Sequence, residues 1–422
     1  MQGISGLNLY FRPMHVTKDI TSRTQYFLEK EERYGAHNYH PLPVVLKEGK
    51  GVFVWDVDDR RYYDFLSGYS AINQGHCHPR IIEAFLAQAQ KLTLTSRAFH
   101  NDVLGEYEEF ITRFFGYDKV LPMNTGVEAV ETGLKLARRW GYEVKGVEPG
   151  KAKIITCEHN FHGRTIGVIS FSTDNDSRRD FGPFTPGFEV IPYNDAAALK
   201  IALQDPNVVA FLVEPIQGEA GVVVPDEGYL AQCAALCKEA NVLLIADEIQ
   251  TGLARTGKML ACDHEEVRAD IVLLGKALSG GTMPVSAVLA DDEVMLTIKP
   301  GDHGSTYGGN PLACKVAIAS LQVLKDEQMA ENSAIQGAHL RRELTALNSE
   351  YISIVRGKGL FNAIVINHPD KDAAWDICMR LKNNGLLAKP THGDRIRFAP
   401  PLLINREQID ECVDIIRRSV NG

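Results

Sequence analysis

The sequence predicts an α/β protein with a large domain on a mostly parallel sheet and a smaller α+β domain formed by both chain ends. Three apolar runs, VVAFLVEPI, VLLIADEI and IVLLGKA, lack polar alternation, and the helical stretch GYLAQCAALCKEAN separates two of them. Strands of this kind are buried on both faces, which is typical of parallel sheets covered by helices. An alternating stretch near the N-terminus and a βα-rich C-terminal region supply the smaller domain.

The elements follow in order along the chain. Val44 to Phe65 alternates between apolar and polar residues around Gly and Asp-Asp turns, which predicts an antiparallel meander. KVLPMNTG predicts a strand running into a turn, VEAVETGLKLARRWGYEV a helix and KIITCEHN a further strand. After Asn310, the helical NPLACKVAIASLQVLKDE leads into the C-terminal region. We therefore expect three segments: 1–69, which joins the small domain; 70–327, the large domain; and 328–422, the rest of the small domain.

Composition excludes several classes of function. The chain has 422 residues, of which 45% are hydrophobic and 23% charged, as in soluble enzymes. Its net charge is −9, and its basic residues are scattered, which argues against nucleic acid or an anionic membrane as a partner. No apolar run reaches the roughly 18 residues of a membrane span.

The cysteines and histidines do not predict a metal site. Eight dispersed cysteines in a chain of this size indicate reduced thiols in a cytosol-like compartment. Cys233 and Cys237 are spaced to share one helix face, but no second ligand pair follows, so core packing is favoured. His76 and His78 precede Pro79, which favours a helix start.

The opening residues bear on the compartment. MQGISGLNLYFRPMH lacks the order of a secretory signal and has too little Arg for a mitochondrial presequence, while NLYF resembles part of a protease-cleavage tag. We expect a cytoplasmic protein, or one of the mitochondrial matrix if a cleaved leader is missing from this sequence.

Two strand ends carry charged residues that a buried sheet does not need. Asp247 ends the aliphatic run LLIAD, where an unpaired carboxylate is costly and requires a cationic partner, a salt bridge or a capping role. Lys276 ends the next strand, IVLLGK; it either reaches the surface or serves as a desolvated nucleophile. A carboxylate for a ring nitrogen and an amine for an aldehyde, on adjacent strand ends, match the chemistry of pyridoxal phosphate.

Two further strand ends carry candidate binding groups. In MNTGVEAVET, Gly126 and Val127 lie where a strand passes into a helix, and free backbone N–H groups there suit a phosphate. In HNFHGRT, Phe161 could stack on a flat ring, and Arg164 could bind a carboxylate through two hydrogen bonds. Either residue has an ordinary alternative, as core packing or as a surface charge.

Together these motifs resemble the class III, fold-type I aminotransferases over nearly the whole chain, from YGAHNYHPLPVVL to RIRFAPPL. The resemblance includes NTGVEA, NFHGRTIG, ADEIQTGLARTG, LLGKALSGG and STYGGNPLA. NYHPLP, SGY and EPIQGEAG resemble the branch that acts on ornithine. The resemblance implies a seven-stranded large-domain sheet and pyridoxal 5'-phosphate as cofactor.

The resemblance also implies roles in holding the cofactor. Lys276 would bind the aldehyde covalently and then transfer protons, and Asp247 would hold the pyridinium proton. Gln250 would contact the ring hydroxyl and Phe161 one ring face. The backbone amides of Gly126 and Val127 would bind the phosphate, together with Thr306 of the partner subunit in a homodimer.

For the substrates, the resemblance implies transfer of the δ-amino group of ornithine to 2-oxoglutarate. Arg397 would bind the α-carboxylate of 2-oxoglutarate, and Glu219 would neutralise Arg397 when ornithine enters. Arg164 and Tyr39 would hold the α-carboxylate of ornithine, and Tyr69 would shape the pocket for its α-amino group. The bland alternatives are a solvated loop charge for Glu219 and simple packing for the tyrosines.

Three other functions remain open at this point. N-acetylornithine or 4-aminobutyrate would suit the same scaffold, because one hydroxyl can only bias recognition. An aminomutase would keep its amine on one substrate and need no 2-oxoglutarate. A regulator that binds the cofactor without turnover would need a DNA-binding domain, for which the first forty residues are too short.

Overall fold

The computed structural model describes residues 21–421, so the opening MQGISGLNLYFRPMH lies outside the described residues. The strands are β1 (Leu46–Lys50), β2 (Phe53–Asp56), β3 (Arg61–Asp64), β4 (Lys119–Met123), β5 (Lys153–Cys157), β6 (Phe188–Ile191), β7 (Val208–Val213), β8 (Leu243–Asp247), β9 (Ile271–Leu274), β10 (Ser286–Ala290), β11 (Ile352–Lys358), β12 (Phe361–Ile366), β13 (Leu386–Leu387), β14 (Pro390–Thr391) and β15 (Arg395–Phe398). The helices are α1 (Ser22–Tyr34), α2 (Ser67–Ser70), α3 (Pro79–Ala89), α4 (Leu104–Phe115), α5 (Gly126–Glu143), α6 (Ile166–Ile169), α7 (Asn175–Arg178), α8 (Ala196–Ala202), α9 (Tyr229–Glu239), α10 (Asp292–Met295), α11 (Pro311–Asp326), α12 (Met329–Ala346), α13 (Ala373–Asn383) and α14 (Arg406–Asn421).

The largest sheet has seven strands in the order β4-β10-β9-β8-β7-β5-β6. Strands β9, β8, β7, β5 and β6 run parallel, whereas β10 is antiparallel to both of its neighbours. Every residue of β7, β8, β9 and β10 is buried. The predicted mostly parallel, seven-stranded α/β fold is confirmed.

Both faces of this sheet are covered. Along β8, Leu243 and Ile245 belong to one buried hydrophobic cluster, whereas Leu244 and Ala246 belong to the other. Residues on one strand alternate between faces, so two cores require helices on both sides. Helix α5 packs closely, since a Cβ on its Gly141 would lie 2.2 Å from a Val209 methyl group.

Two smaller sheets complete the fold. Strands β1, β2 and β3 form an antiparallel meander, and the C-terminal strand β13 pairs in parallel with β3. Strands β11, β12, β15 and β14 form a second, antiparallel sheet. Segments from both chain ends therefore share a sheet, while the domain boundaries at 69 and 327 stay predictions.

No described helix has both the length and the apolar character needed to cross a membrane.

Candidate active site

Lys276 follows the end of β9 and begins a short 3-10 turn, Lys276–Ser279. Its φ of 41° lies in the left-handed region, which costs a non-glycine residue about 1–3 kcal/mol and tends to occur at functional sites. Burial lowers the pKa of the Lys276 amine, although the negative charges of Glu219 and Asp247 oppose that shift. A lowered pKa favours the neutral amine, which is the nucleophilic form.

Asp247 ends β8 on the neighbouring strand and is only 5% exposed. Its Oδ2 lies 2.6 Å from Nδ1 of His162, and its Oδ1 accepts the backbone N–H of Ile249 at 3.1 Å. Burial is the largest single influence and lowers the pKa of His162, but the hydrogen bond to Asp247 and the negative charges of Asp247 and Glu214 together outweigh it and leave that pKa raised. Asp247 therefore has a potentially cationic partner in His162, as a carboxyl group in an interior position requires.

The segment after β5 carries the predicted ring contact. Phe161 is partly buried, and its backbone N–H donates to Oε1 of Glu214 at 2.9 Å. The Arg164 guanidinium lies 5.7 Å from the centre of the Phe161 ring, and its side chain is exposed. An aromatic face and a cation thus lie on the same segment.

The N-terminus of α5 lies at the same edge of the sheet. Thr125 and Glu128 form a capping box that fixes the first turn, where Gly126 and Val127 have N–H groups without a partner inside the helix. An added Cβ on Gly275, just before Lys276, would lie 3.6 Å from the Cα of Gly126. The segments that follow β4 and β9 therefore approach each other at this point.

Glu219 and Arg397 form an ion pair across the site, with Oε1 and Nη1 2.7 Å apart. Burial alone would raise the pKa of Glu219, but the charge and hydrogen bond of Arg397, with the charges of Lys276 and His392, together outweigh burial and hold that pKa below its ordinary value. Arg397 is 5% exposed, and its Nε is buried without a hydrogen-bond partner. A buried guanidinium with a free donor is suited to an incoming carboxylate.

Tyr69 and Gln250 line the same space. The centre of the Tyr69 ring lies 5.1 Å from the Arg397 guanidinium, and Gln250 Nε2 donates to the Tyr69 carbonyl at 3.3 Å. Residues 67–70 all have positive φ, so Tyr69 sits on a left-handed turn rather than on an ordinary helix.

Tyr39 and Thr306 are exposed on this chain. The Tyr39 ring lies 6.0 Å from Nζ of Lys389. Thr306 follows Ser305, whose hydroxyl accepts from the side-chain amide of Asn124 at the end of β4. The structure therefore brings Lys276, Asp247, Gln250, Glu219, Arg397 and Tyr69 together, with Gly126, Val127 and Phe161 at the same edge, and leaves Tyr39, Arg164 and Thr306 at the surface.

The cysteines and histidines set aside above have other contacts. Cys233 and Cys237 are buried in α9, and all eight cysteines are free thiols. His76 bonds to Asp64 and His78 to Glu327. Within residues 21–421, no three His, Cys, Asp or Glu side chains are grouped to hold a metal.

Comparison with known proteins decides the family. The description Aminotransferase class-III matches residues 34–420. The chain belongs to the class III aminotransferases. This class III aminotransferase is 65% identical over 397 residues to the mitochondrial ornithine aminotransferase of Rattus norvegicus, covering 94% of this chain and 90% of the rat protein.

Two solved structures extend the comparison. The ornithine aminotransferase of Toxoplasma gondii, whose active site shows partial occupancy of PLP, superposes with a TM-score of 0.93 at 52% identity and covers 94% of both chains. The acetylornithine aminotransferase of Elizabethkingia anophelis gives 0.87 at 58% identity, over 94% of this chain and 99% of that one. Both neighbours share the fold, although they are named for different substrates.

This aminotransferase is a pyridoxal-phosphate-dependent transaminase, and its residues fit the cofactor. The cofactor needs an amine, a carboxylate for its ring nitrogen and donors for its phosphate. Asp247 and Lys276 offer the first two at the ends of the adjacent strands β8 and β9, and the first turn of α5 offers the third at the same edge of the sheet.

Two buried residues escaped the sequence analysis. His162 partners Asp247, and Glu214 hydrogen-bonds the backbone of Phe161. His162 lies inside the motif HNFHGRT, and Glu214 follows the buried run VVAFLV, so both patterns contained a signal: a polar side chain at the end of an apolar strand or beside a candidate ring contact.

Proposed function

We propose that this aminotransferase moves the δ-amino group of L-ornithine to 2-oxoglutarate, giving glutamate and glutamate 5-semialdehyde, which cyclises unaided. The observation that carries the proposal is the Glu219–Arg397 ion pair at 2.7 Å. The two substrates differ at the reacting end, because ornithine offers an uncharged methylene chain and 2-oxoglutarate a carboxylate. A guanidinium with a movable counter-charge accommodates both.

Arg397 and Glu219 would alternate between two states. With ornithine present, Glu219 stays on Arg397, so no bare charge faces the methylene chain. With 2-oxoglutarate present, Glu219 leaves and Arg397 binds the α-carboxylate, helped by its free Nε. Glu219 is partly exposed, which allows it to move.

The positions of three other side chains support the remaining substrate contacts that we propose. Tyr69 lies against Arg397 and would bound the pocket that admits the α-amino group of ornithine. Arg164 and Tyr39, both exposed, would bind its α-carboxylate at the mouth of the site.

Bound pyridoxal phosphate supplies an aldehyde to accept the amine and a ring that stores electrons. Lys276 would attach to that aldehyde. Afterwards it would carry a proton between the substrate carbon that bears the amine and the former aldehyde carbon of the cofactor. Asp247, held by His162, would keep the ring nitrogen protonated. Gln250 would bond the ring hydroxyl, Phe161 would cover one face, and Gly126 and Val127 would donate to the phosphate.

We place the active unit in a homodimer, with Thr306 of the partner subunit completing the phosphate site. Its exposure on this chain is consistent with a role in a neighbouring site. Free, dispersed thiols support a reducing compartment, either the cytoplasm or the mitochondrial matrix.

A second candidate substrate is N-acetylornithine, favoured by the 58% identity to an acetylornithine aminotransferase. An amino-donor panel with 2-oxoglutarate as acceptor separates the candidates, with glutamate formation as the signal. We expect ornithine to exceed N-acetylornithine and 4-aminobutyrate in kcat/KM, and Lys276→Ala to abolish turnover. A preference for either rival donor, or turnover without added 2-oxoglutarate, would overturn the proposal.

A further inference from the structure

Glu214 is a buried carboxyl group that lies between two parts of the site. It follows the last residue of β7, and Val213 pairs with Ala246 of β8, so Glu214 and Asp247 leave the sheet side by side. Glu214 is 6% exposed. None of the roles described above uses it.

The two carboxylate oxygens of Glu214 accept hydrogen bonds from two different loops. Oε1 accepts the N–H of Phe161 at 2.9 Å, and Oε2 accepts the N–H of Gly218 at 3.2 Å. Phe161 carries the aromatic ring after β5, and Gly218 immediately precedes Glu219. One side chain therefore ties the ring-bearing segment to the segment that carries the counter-charge of Arg397.

Burying the Glu214 side chain costs free energy, and its two hydrogen bonds offset that cost. Burial of a carboxylate is unfavourable, and it raises the pKa of Glu214 to about 7. A glutamine of the same size would remove the charge, but its amide has a single acceptor oxygen, and its N–H groups would face one of the two backbone donors. Of the two, only the carboxyl group has an acceptor oxygen for each N–H group.

The Gly218 segment has little room to shift. A Cβ on Gly218 would lie 1.9 Å from Oε1 of Gln250, and the Gly218 carbonyl accepts from Arg397 at 3.4 Å. A displacement at Gly218 therefore moves groups that touch both Arg397 and Gln250. At the other oxygen of Glu214, a displacement of the Phe161 backbone would move the Phe161 side chain, which is the proposed contact to the cofactor ring.

We propose that Glu214 is a positioning residue that fixes the Phe161 ring and the Glu219–Arg397 pair relative to each other. Through Oε1, which holds Phe161, it sets the affinity for the cofactor. Through Oε2, which holds Gly218 beside Glu219, it sets which amine of the substrate reacts. The second of these effects rests on the proposed ornithine reaction, whereas the first does not.

The test compares Glu214→Gln with Glu248→Gln in the full-length protein. Glu248 is a matched control, because it too is a buried carboxyl group, and its oxygens bond to Thr251 and to the N–H of Cys262 instead. Three quantities are measured: amide hydrogen exchange in peptides containing Phe161 or Gly218, the Kd of the cofactor-free protein for pyridoxal phosphate, and the ratio of δ to α products from ornithine.

Glu214→Gln removes the acceptor from one bond and the charge from the other, so exchange should speed at both amides, by about tenfold at the amide that loses its acceptor, while the Kd rises and the δ-to-α ratio falls. Glu248→Gln should leave all three unchanged. Glu214→Asp keeps the charge but is too short to reach both loops, so it should impair only one of the two amides.

Wild-type exchange and Kd in a folded Glu214→Gln protein would overturn the proposal. So would failure of both Glu214 variants to fold, because Glu214 would then serve the fold itself. If the unmodified protein does not use ornithine, the proposed function fails, but exchange and Kd still decide whether Glu214 positions the ring.

Discussion

At the scale of single residues, the Glu219–Arg397 pair makes the sharpest claim about specificity. Glu219→Ala leaves the buried guanidinium without its counter-charge, so an α-amino acid can place its carboxylate there and present its α-amine. The variant should gain transamination of glutamate and lose δ-specificity for ornithine by about 1–3 kcal/mol, the cost of an unpaired charged contact. Product analysis in a single turnover measures the ratio.

Asp394→Ala is the matched control, because it removes a carboxylate near Arg395 on the same hairpin and leaves Arg397 paired. Its δ-to-α ratio should equal that of the unmodified protein. An unchanged ratio in Glu219→Ala would reduce Glu219 to a loop charge.

Glu214 should also make stability depend on pH. Burial raises its pKa from the ordinary 4.5 to about 7, so between these values the folded state holds a proton that the unfolded state has lost. Stability therefore falls as pH rises through this window, by about 3 kcal/mol in total. Glu214→Gln should remove that fall. In denaturant unfolding from acid to neutral pH, the free energy of unfolding of the variant minus that of the unmodified protein should therefore rise as pH rises through this window. A difference independent of pH would contradict the assignment.

Sequence patterns located the charged strand ends but not their partners. Lys276 and Asp247 stand out because single charges end apolar runs, and that contrast is local. His162 and Glu214 meet Asp247 and Phe161 from distant parts of the chain, and the sequence alone does not show which polar residues will be neighbours. Family resemblance named the site residues, whereas these supporting contacts came only from the structure.

At the scale of elements, the capping box of α5 should serve both the helix and the phosphate. Thr125 Oγ1 accepts from the N–H of Glu128, and Glu128 Oε2 accepts from the N–H of Thr125 at 2.7 Å. Thr125→Ala should cost about 1 kcal/mol of stability. It should also weaken binding of pyridoxal phosphate, because the first turn would be less well fixed. Equilibrium dialysis measures the affinity.

Thr21→Ala provides the comparison, since Thr21 caps α1 by accepting from the N–H of Thr24 at 3.1 Å. It should lower stability by a similar amount without changing cofactor affinity. If the two variants bind pyridoxal phosphate with equal affinity, the cap of α5 does not contribute to phosphate binding.

Most elements were predictable because their patterns are unambiguous. Strands β7, β8 and β9 are continuous apolar runs, and α5 and α11 have helical periodicity. The antiparallel direction of β10 was not predicted, because apolar runs do not reveal strand direction. The left-handed turn that carries Tyr69 was also missed, since SGYS contains only one glycine to suggest it.

At the scale of the whole molecule, the proposed homodimer can be tested by complementation. If Thr306 of the partner subunit completes each site, a mixed dimer of Lys276→Ala and Thr306→Ala subunits contains one intact site and one with both defects. Random assortment should restore about one quarter of wild-type activity. If Thr306 served its own subunit, every mixed site would carry one defect, and co-expression would give no activity beyond that of the separate Thr306→Ala protein.

The central claim is that this molecule transfers the distal amine of ornithine, and isotope transfer tests it most directly. Ornithine carrying a heavy nitrogen isotope at either the δ or the α position is incubated with the enzyme, pyridoxal phosphate and 2-oxoglutarate, and the glutamate formed is analysed by mass spectrometry. The account predicts that glutamate acquires the isotope from the δ position and none from the α position. Label arriving from the α position, or glutamate that carries no label from ornithine at all, would contradict it.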